Sequence, residues 1–182
     1  MKPIGVTETI KMSGIGPDYD SVPEAYLNAK AQLGKRVHEL CAMAAKGNPP
    51  RVRTEAGEYA LKFYQWLKWS GAVVVRTEFE VKGEVSGTAY IGHADLDFIW
   101  DNRRFVADIK TTASLYSSYG VQLAAYAMAI YTERNWANRA VLWIRKDGPA
   151  RLVADAPIIR ESDFAMWRSI VISQSWIRGA KL

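Results

Sequence analysis

The chain has 182 residues, 49% of them apolar, which is typical of one globular domain with its own hydrophobic core. A single cysteine excludes a disulfide framework and any four-cysteine zinc or iron–sulfur site supplied by this chain alone. The net charge of +5 is a mild indication of an anionic partner, and no apolar run has the length of about 20 residues that a membrane helix needs.

The N-terminal part is predicted to contain a loop-rich arm and then a long helix. Residues 1–20, with the stretch “GIGPDYD”, are expected to form a flexible arm before a single domain of residues 21–182. Ser21 and Glu24 have the spacing of a capping box, which predicts the start of the first helix. That helix is expected to end near Lys46, before the stretch “GNPP”.

The rest of the chain alternates between helical and strand patterns, which is typical of an α/β domain. Hydrophobic periodicity and turn residues predict a helix over 54–70, strands over 72–81, 91–100 and 103–110, a helix over 115–132, strands over 139–145 and 150–156, and a helix over 162–178. The order ααβββαββα predicts a mixed central β-sheet flanked by helices on both faces.

Two of these strands carry acidic residues where a core is expected. Asp101 and Asn102 suit a two-residue hairpin turn, which sets the register so that Asp95 faces Asp108. Like charges directly opposite destabilise a sheet, but a divalent cation between the carboxylates removes that penalty, and oxygen ligands suit Mg²⁺ or Mn²⁺. The alternatives are a solvated strand face or a shifted register. The other face of both strands is predicted to be core: Leu96, Phe98, Phe105, Ala107 and Ile109.

Four short motifs follow one another along the middle of the chain. They are “GKRVHEL” (34–40), “GHAD” (92–95), “VADIK” (106–110) and “QLAAY” (122–126). Together they resemble the PD-(D/E)XK nuclease superfamily, specifically its RecB-like exonuclease branch. The resemblance implies a restriction-endonuclease-like core. No proline precedes the first motif aspartate, and the lack of a cysteine cluster excludes the iron–sulfur members of that branch.

The resemblance also implies a set of metal ligands. Asp95 and Asp108 would bind the ion together with the backbone carbonyl of Ile109. His38 would be an additional ligand, and its imidazole suits Mn²⁺ at least as well as Mg²⁺. One or two ions are expected, with Glu78 as a candidate further ligand.

Three more residues have catalytic roles under the same resemblance, beside the ligands Asp95 and Asp108. Lys110 would orient the attacking water and offset the charge that develops on the phosphate. Gln122 and Tyr126, four apart on one helix face, would contact the scissile phosphate or brace the lysine. The alternative is structural, with the lysine as an ordinary partner of Asp108 and the two helix residues as polar caps of the core.

Five further charged residues each have two alternative roles. By strand alternation, Asp97 shares the face of Asp95 and is expected to be solvated. The alternative is that Asp97 lies behind the metal ligands and supports them. Four basic residues in the helical region are candidates for contacts to backbone phosphates, with solvated surface as the alternative for each: Lys35, Arg36, Arg51 and Arg53.

The function that the resemblance implies is metal-dependent DNA exonuclease activity in recombination, repair or phage DNA processing. Linear DNA, including single-stranded ends, is the expected substrate, and a recombination or annealing protein is a candidate partner. A cytoplasmic location in a bacterial or phage-infected host cell is expected, without membrane attachment. The alternatives are a structure-specific endonuclease such as a junction resolvase, or a non-catalytic nucleic-acid-binding module with the nuclease fold.

Overall fold

The computed structural model describes residues 2–131 and 138–179. The strands are β1 (Ile4–Gly5), β2 (Val73–Val85), β3 (Thr88–Trp100), β4 (Arg103–Lys110), β5 (Asn138–Trp143) and β6 (Arg151–Val153). The helices are α1 (Val6–Met12), α2 (Glu24–Ala45), α3 (Glu55–Ser70), α4 (Ser118–Ile130) and α5 (Ser162–Gly179). The helix predicted over 115–132 is α4, which begins at Ser118 and ends at Ile130, and residue 132 lies outside the described residues. Of the helices described, none combines the length and the hydrophobicity needed to cross a lipid bilayer.

The strands form one mixed sheet, as the element order predicts. Its order is β1-β3-β4-β5-β6, with β2 on the other edge of β3. The pairs β1–β3 and β4–β5 are parallel, whereas β2–β3, β3–β4 and β5–β6 are antiparallel. The chain is therefore a mixed α/β fold with a mixed central sheet flanked by helices.

Each face of the sheet has its own hydrophobic core. One core joins the sheet to α2 and α3, and it contains the apolar face predicted for the central hairpin: Leu96, Phe98, Phe105, Ala107 and Ile109. The other core joins the sheet to α1, α4 and α5, around Tyr90, Tyr126 and Trp167. Residues from both helical layers therefore bury the sheet from its two sides.

The central hairpin has the predicted register. Asp101 and Asn102 form the two-residue turn with φ values of 51° and 55°, the left-handed conformation that such turns need. Residues then pair from Trp100 with Arg103 inwards to Leu96 with Ala107, which is the last pair of this ladder. Asp95 and Asp108 are the next residues on the two strands.

The predicted boundary signals hold for both ends of α3 and for the end of α2, at Ala45 and Lys46, and they fail at the start of α2. Thr54 caps α3 by accepting a hydrogen bond from the Gly57 amide at 3.2 Å, and Gly71 ends the helix with a φ of 69°. By contrast, α2 begins at Glu24 after Pro23, and no side chain caps it, so the predicted capping box at Ser21 is wrong. Pro23 is itself the N-cap residue, and its side chain has no oxygen that could accept a hydrogen bond from the first amides of the helix.

The predicted flexible arm of residues 1–20 is wrong for residues 4–12. Ile4 and Gly5 pair with Tyr90 and Ile91 of β3, and α1 follows at once, with Ile10 buried in the core. A strand has two edges, and β2 follows one edge of β3 along its length. On the other edge, β4 pairs only with residues 96–100 of β3. That edge is therefore free at Tyr90 and Ile91, where β1 pairs. Sequence patterns do not reveal a two-residue strand of this kind.

Candidate functional site

The regular alternation of β3 changes at Asp95. Ala94 and Leu96 are both fully buried, yet they belong to the cores on opposite faces of the sheet. Residues two apart on a regular strand share a face, so β3 must twist sharply between them. On β2, Glu78 lies opposite Asp95, between two regular pairs of the β2–β3 ladder. The φ of Glu78 is 47°, which is rare for a residue other than glycine. The local distortion of both strands brings their carboxylates together at one place.

His38, Glu78 and Asp95 form a group that could hold a metal ion. Their ligand atoms all lie within 4.8 Å of one another. His38 Nδ1 is 3.3 Å from Asp95 Oδ1 and 3.8 Å from Glu78 Oε1. In an octahedral site, each ligand atom lies about 2.1 Å from the ion. Two ligand atoms in adjacent positions are then roughly 3.0 Å apart, and two in opposite positions are roughly 4.2 Å apart. Both separations fit a shared ion, although the nitrogen and oxygen donors do not specify one metal.

The charges around His38 favour its protonated form. Burial by itself lowers the pKa of His38, but the hydrogen bond to Asp95 and the charges of Asp95 and Asp108 outweigh this and raise it to about 9. Burial and the charge of Asp95 also raise the pKa of Glu78, while His38 opposes that change. These carboxylates repel one another, and a cation between them relieves the repulsion.

Asp95 also links the two strands of the hairpin. Its Oδ2 accepts a hydrogen bond from the Ile109 amide at 2.6 Å, just beyond the last regular pair of the ladder. This bond orients the carboxylate so that Oδ1 points to His38. Ile109 thus contributes its N–H group here, and the ligand role of its carbonyl oxygen stays a prediction.

Asp108 lies beside the ligand group without being one of its three members. Asp108 is 2% exposed, and its Oδ1 accepts a hydrogen bond from Gln122 Nε2 at 3.0 Å. Its Oδ2 is buried and accepts no hydrogen bond of regular geometry from the described residues, although Lys110 Nζ is only 2.6 Å away. Burial raises the pKa of Asp108, the charge of Asp95 adds to this, and Lys110 opposes it. Apart from this ion pair, Oδ2 has no partner among the described residues, so it could take a metal ion, and the ligand role of Asp108 stays a prediction.

Lys110 is held in the charged form by its neighbours. Burial lowers its pKa, but the carboxylates of Asp108 and Asp95 outweigh this and raise the pKa above its usual range. Its Nζ also lies 4.7 Å from the centre of the Tyr119 ring. Tyr119 was not predicted, but it lies three residues before Gln122 on α4, so helical spacing alone could have placed it on the same face.

Gln122 and Tyr126 brace the site from α4. Gln122 Nε2 donates to Asp108 and also lies 2.8 Å from the hydroxyl of Tyr126, which is buried. A Cβ atom added at Gly92 would lie 2.6 Å from Tyr126 Cε1, so the glycine of the “GHAD” motif leaves space for this ring. These contacts hold Asp108, the ion-pair partner of Lys110, and the predicted contact of Gln122 and Tyr126 with a scissile phosphate stays a prediction.

Asp97 is not solvated, contrary to the expectation from strand alternation. Its side chain is fully buried and accepts two hydrogen bonds each from Arg76 and Arg104, at 2.7–3.0 Å, and one from Tyr131 at 3.2 Å. Burial raises the pKa of Asp97, but the two guanidinium groups outweigh it, so the pKa is lowered. The arginines come from the strands on either side, which no pattern within one strand reveals.

The four basic residues predicted to contact phosphates are exposed. Lys35 and Arg36 precede His38 on α2, and Arg36 forms a 2.8 Å ion pair with Glu39. Arg51 and Arg53 lie in the loop after α2. The last residue of α2, Ala45, is roughly 10 Å from His38 along the helix axis. Their contacts with nucleic acid stay predictions.

No protein-family model matches this chain, and no curated protein matches it. Among solved structures, the crystal structure of SSO0001 covers 96% of this chain and 76% of its own chain, with 18% sequence identity and a TM-score of 0.47. A likeness at this level supports no conclusion about the activity of this chain.

Proposed function

We propose that this chain is a metal-dependent DNA exonuclease of the PD-(D/E)XK type, with a restriction-endonuclease-like core, that hydrolyses phosphodiester bonds with Mg²⁺ or Mn²⁺. One observation carries the proposal: a charged lysine, Lys110, lies next to a buried carboxylate, Asp108, and a three-residue ligand group on the neighbouring strands and α2. This combination is suited to holding a cation and a phosphate side by side.

The balance of charges supports a divalent ion. Three carboxylates, those of Glu78, Asp95 and Asp108, lie near one another, and Lys110 compensates one of them. A divalent cation compensates the other two when His38 is neutral, which is the form that binds metals. The mixture of hard oxygen donors and one imidazole suits Mn²⁺ and Mg²⁺.

In the proposed hydrolysis, some residues would bind the metal ion and others would stabilise charge. A bound divalent ion would supply an activated water and would stabilise negative charge on the phosphate. Lys110 would face the phosphoryl oxygens and offset the charge that grows on them as water attacks in line with the leaving 3′ oxygen. Asp108 keeps Lys110 charged, and Gln122 keeps Asp108 in place. Cleavage in this direction leaves a 5′ phosphate.

The proposal is tested by digestion of end-labelled linear DNA in parallel with Mg²⁺, Mn²⁺ and EDTA. Cleavage is expected with the metals and not with EDTA. Lys110→Ala is expected to lower the rate about 10²- to 10³-fold, the effect of removing one preorganised group that stabilises transition-state charge. Lys68→Ala, an exposed lysine on α3, is the matched control and should keep full activity.

Two outcomes would count against the proposal. A correctly folded Lys110→Ala protein with wild-type activity would remove the catalytic assignment, and binding of DNA without cleavage under either metal would favour the binding-module alternative. A circular single-stranded substrate separates the two nuclease classes, because an exonuclease requires an end and an endonuclease does not.

A further inference from the structure

Trp143 places an arginine in register with Lys110 across the sheet. It pairs with Lys110 in the parallel β4–β5 ladder and with Arg151 in the antiparallel β5–β6 ladder. Residues that pair directly on neighbouring strands point to the same face of a sheet. Trp143 packs against the core formed with α1, α4 and α5, so all three side chains lie on that face. Lys110 and Arg151 therefore flank Trp143 from its two neighbouring strands.

A second arginine is held against the ring of Trp143. The guanidinium carbon of Arg145 lies 5.0 Å from the centre of that ring, within the range of a cation–π contact. The indole N–H of Trp143 donates to the Thr112 carbonyl at 2.8 Å, which fixes the orientation of the ring. Lys62 of α3 donates to the Arg145 carbonyl at 2.8 Å. Contacts of both the side chain and the backbone therefore set the position of Arg145.

The charges of these two arginines are not neutralised within the domain. Arg145 and Arg151 are exposed, and neither forms an ion pair with a carboxylate in the described part of the chain. The other arginines on the described strands each pair with a carboxylate: Arg76, Arg103, Arg104 and Arg139. Arg145 and Arg151 are therefore available to an anionic ligand from outside the domain.

Together with Lys110, the two arginines form a basic strip at one edge of the sheet. The parallel strands β4 and β5 end at Lys110 and Trp143, and open α/β sheets bind ligands outside the carboxyl ends of their strands. Neighbouring strands are about 4.8 Å apart, so the backbone of Arg151 lies roughly 10 Å from that of Lys110. Because the sheet order is β3-β4-β5-β6, the basic strip leads away from the ligand group.

We propose that Arg145 and Arg151 bind backbone phosphates of the substrate strand, so that the nucleic acid runs from Lys110 across β5 and β6. This inference rests on the proposed function, which puts the scissile phosphate at Lys110. Guanidinium groups suit this task, because their planar donors can bind two phosphate oxygens at once. Contacts of this kind position a strand without reading its bases, so the basic strip would accept any sequence.

The salt dependence of binding measures the number of phosphate contacts. Each phosphate of a single strand that the protein neutralises changes the slope of log K against log salt by about 0.7, because counterions are released. The probe is oligo-deoxythymidine of about 12 nucleotides, which falls in the range of single-strand site sizes. Its affinity is measured by fluorescence anisotropy in EDTA, so that no cleavage is needed.

Removing both arginine charges should remove two phosphate contacts. Arg145→Gln combined with Arg151→Gln is expected to make the slope less steep by about 1.4. Between about 50 and about 200 mM salt, the affinity advantage of the wild-type protein over this variant should therefore shrink roughly sevenfold. Arg145→Lys combined with Arg151→Lys keeps both charges and should keep the wild-type slope, which separates the effect of charge from loss of fold.

The matched control removes two positive charges far from the basic strip, through Lys68→Gln combined with Arg103→Gln. Arg103 is the first residue of β4 and Lys110 the last, so they lie roughly 23 Å apart along the strand. Lys68 is in the last turn of α3, which contacts the Arg103 end of the sheet through Trp100. This control variant should keep the wild-type slope.

A wild-type slope in the glutamine pair at Arg145 and Arg151 would overturn the basic strip, even if the protein digests DNA. An equal loss of slope in the control variant or in the lysine pair would overturn it as well, as would a wild-type protein that does not bind the probe at about 50 mM salt. A slope that only the glutamine pair reduces, in a protein that cleaves nothing with Mg²⁺ or Mn²⁺, would sustain the basic strip and remove the exonuclease. The two proposals therefore fail separately.

Discussion

Asp97→Asn should destabilise the protein through the buried charge network on β2, β3 and β4. The carboxylate of Asp97 is fully buried and accepts four hydrogen bonds from Arg76 and Arg104. An asparagine has one oxygen acceptor, and its amide N–H groups would face the guanidinium donors. The two arginines would then keep their charge without the counter-charge.

The magnitude follows from how much water the partners can regain. Removing one partner of a buried ion pair costs about 3–5 kcal/mol, because the other charge stays buried. Here the side chains of both arginines are 43% exposed, so solvent can recover part of that loss. We therefore expect a loss of about 2–3 kcal/mol, which for a chain of this size corresponds to a drop of roughly 4–12 °C in Tm.

Urea unfolding at neutral pH, followed by tryptophan fluorescence, measures the loss. Asp101→Asn is the matched control, because the same change at the exposed hairpin turn should stay within about 0.5 kcal/mol. The lowered pKa of Asp97 adds a pH signature: its contribution is present above the unfolded pKa of about 3.9 and disappears as the pH falls through the lower folded value. Equal losses for the two variants, or a difference that persists unchanged at very low pH, would refute the role given to the network.

Three further predictions concern the ligand group and the packing of Tyr126 near it. At a Mn²⁺ concentration 100 times its Kd, binding should add about 2.7 kcal/mol of stability and raise Tm by roughly 5–10 °C, and Glu78→Gln or His38→Gln should remove most of that shift. The pKa of His38 is raised to about 9, so a proton must leave the imidazole before its nitrogen can bind metal. The affinity for Mn²⁺, measured by calorimetry, should therefore rise up to about tenfold per pH unit near neutrality. Gly92→Ala should destabilise by about 1–3 kcal/mol through its contact with Tyr126, whereas Gly34→Ala, whose added Cβ meets nothing within 4 Å, should be neutral or stabilise by up to about 1 kcal/mol.

The controls for these predictions are specific. In the metal-free protein the His38 contribution has the opposite pH sense: it is complete below the unfolded pKa of about 6.5 and is lost as the pH rises through about 9. A metal affinity that is flat with pH would show that His38 is not a ligand. An unchanged Mn²⁺ shift in Glu78→Gln would place the ion elsewhere, and equal stability of the two glycine variants would contradict the close packing of Tyr126.

Several features of the candidate site follow from local sequence signals. The turn residues Asp101 and Asn102 set the hairpin register, because a two-residue turn with positive φ allows only one pairing of its strands. That register brings Asp95 and Asp108 to neighbouring positions. The same holds for α3, whose ends are set by the hydroxyl of Thr54 and the left-handed conformation of Gly71. Each signal acts between residues that are close in the chain.

Other features depend on contacts between distant elements, so only the tertiary structure decided them. Glu78 joins His38 because β2 and β3 twist together, and Asp97 is buried because arginines reach it from two other strands. The strand at Ile4 forms because β4 leaves one edge of β3 free. Sequence alone determined the local geometry that aligns the two motif aspartates, since turns and caps depend on nearby residues. Which side chains surround them was decided by packing between elements, because burial and charge pairing depend on residues far apart in the chain.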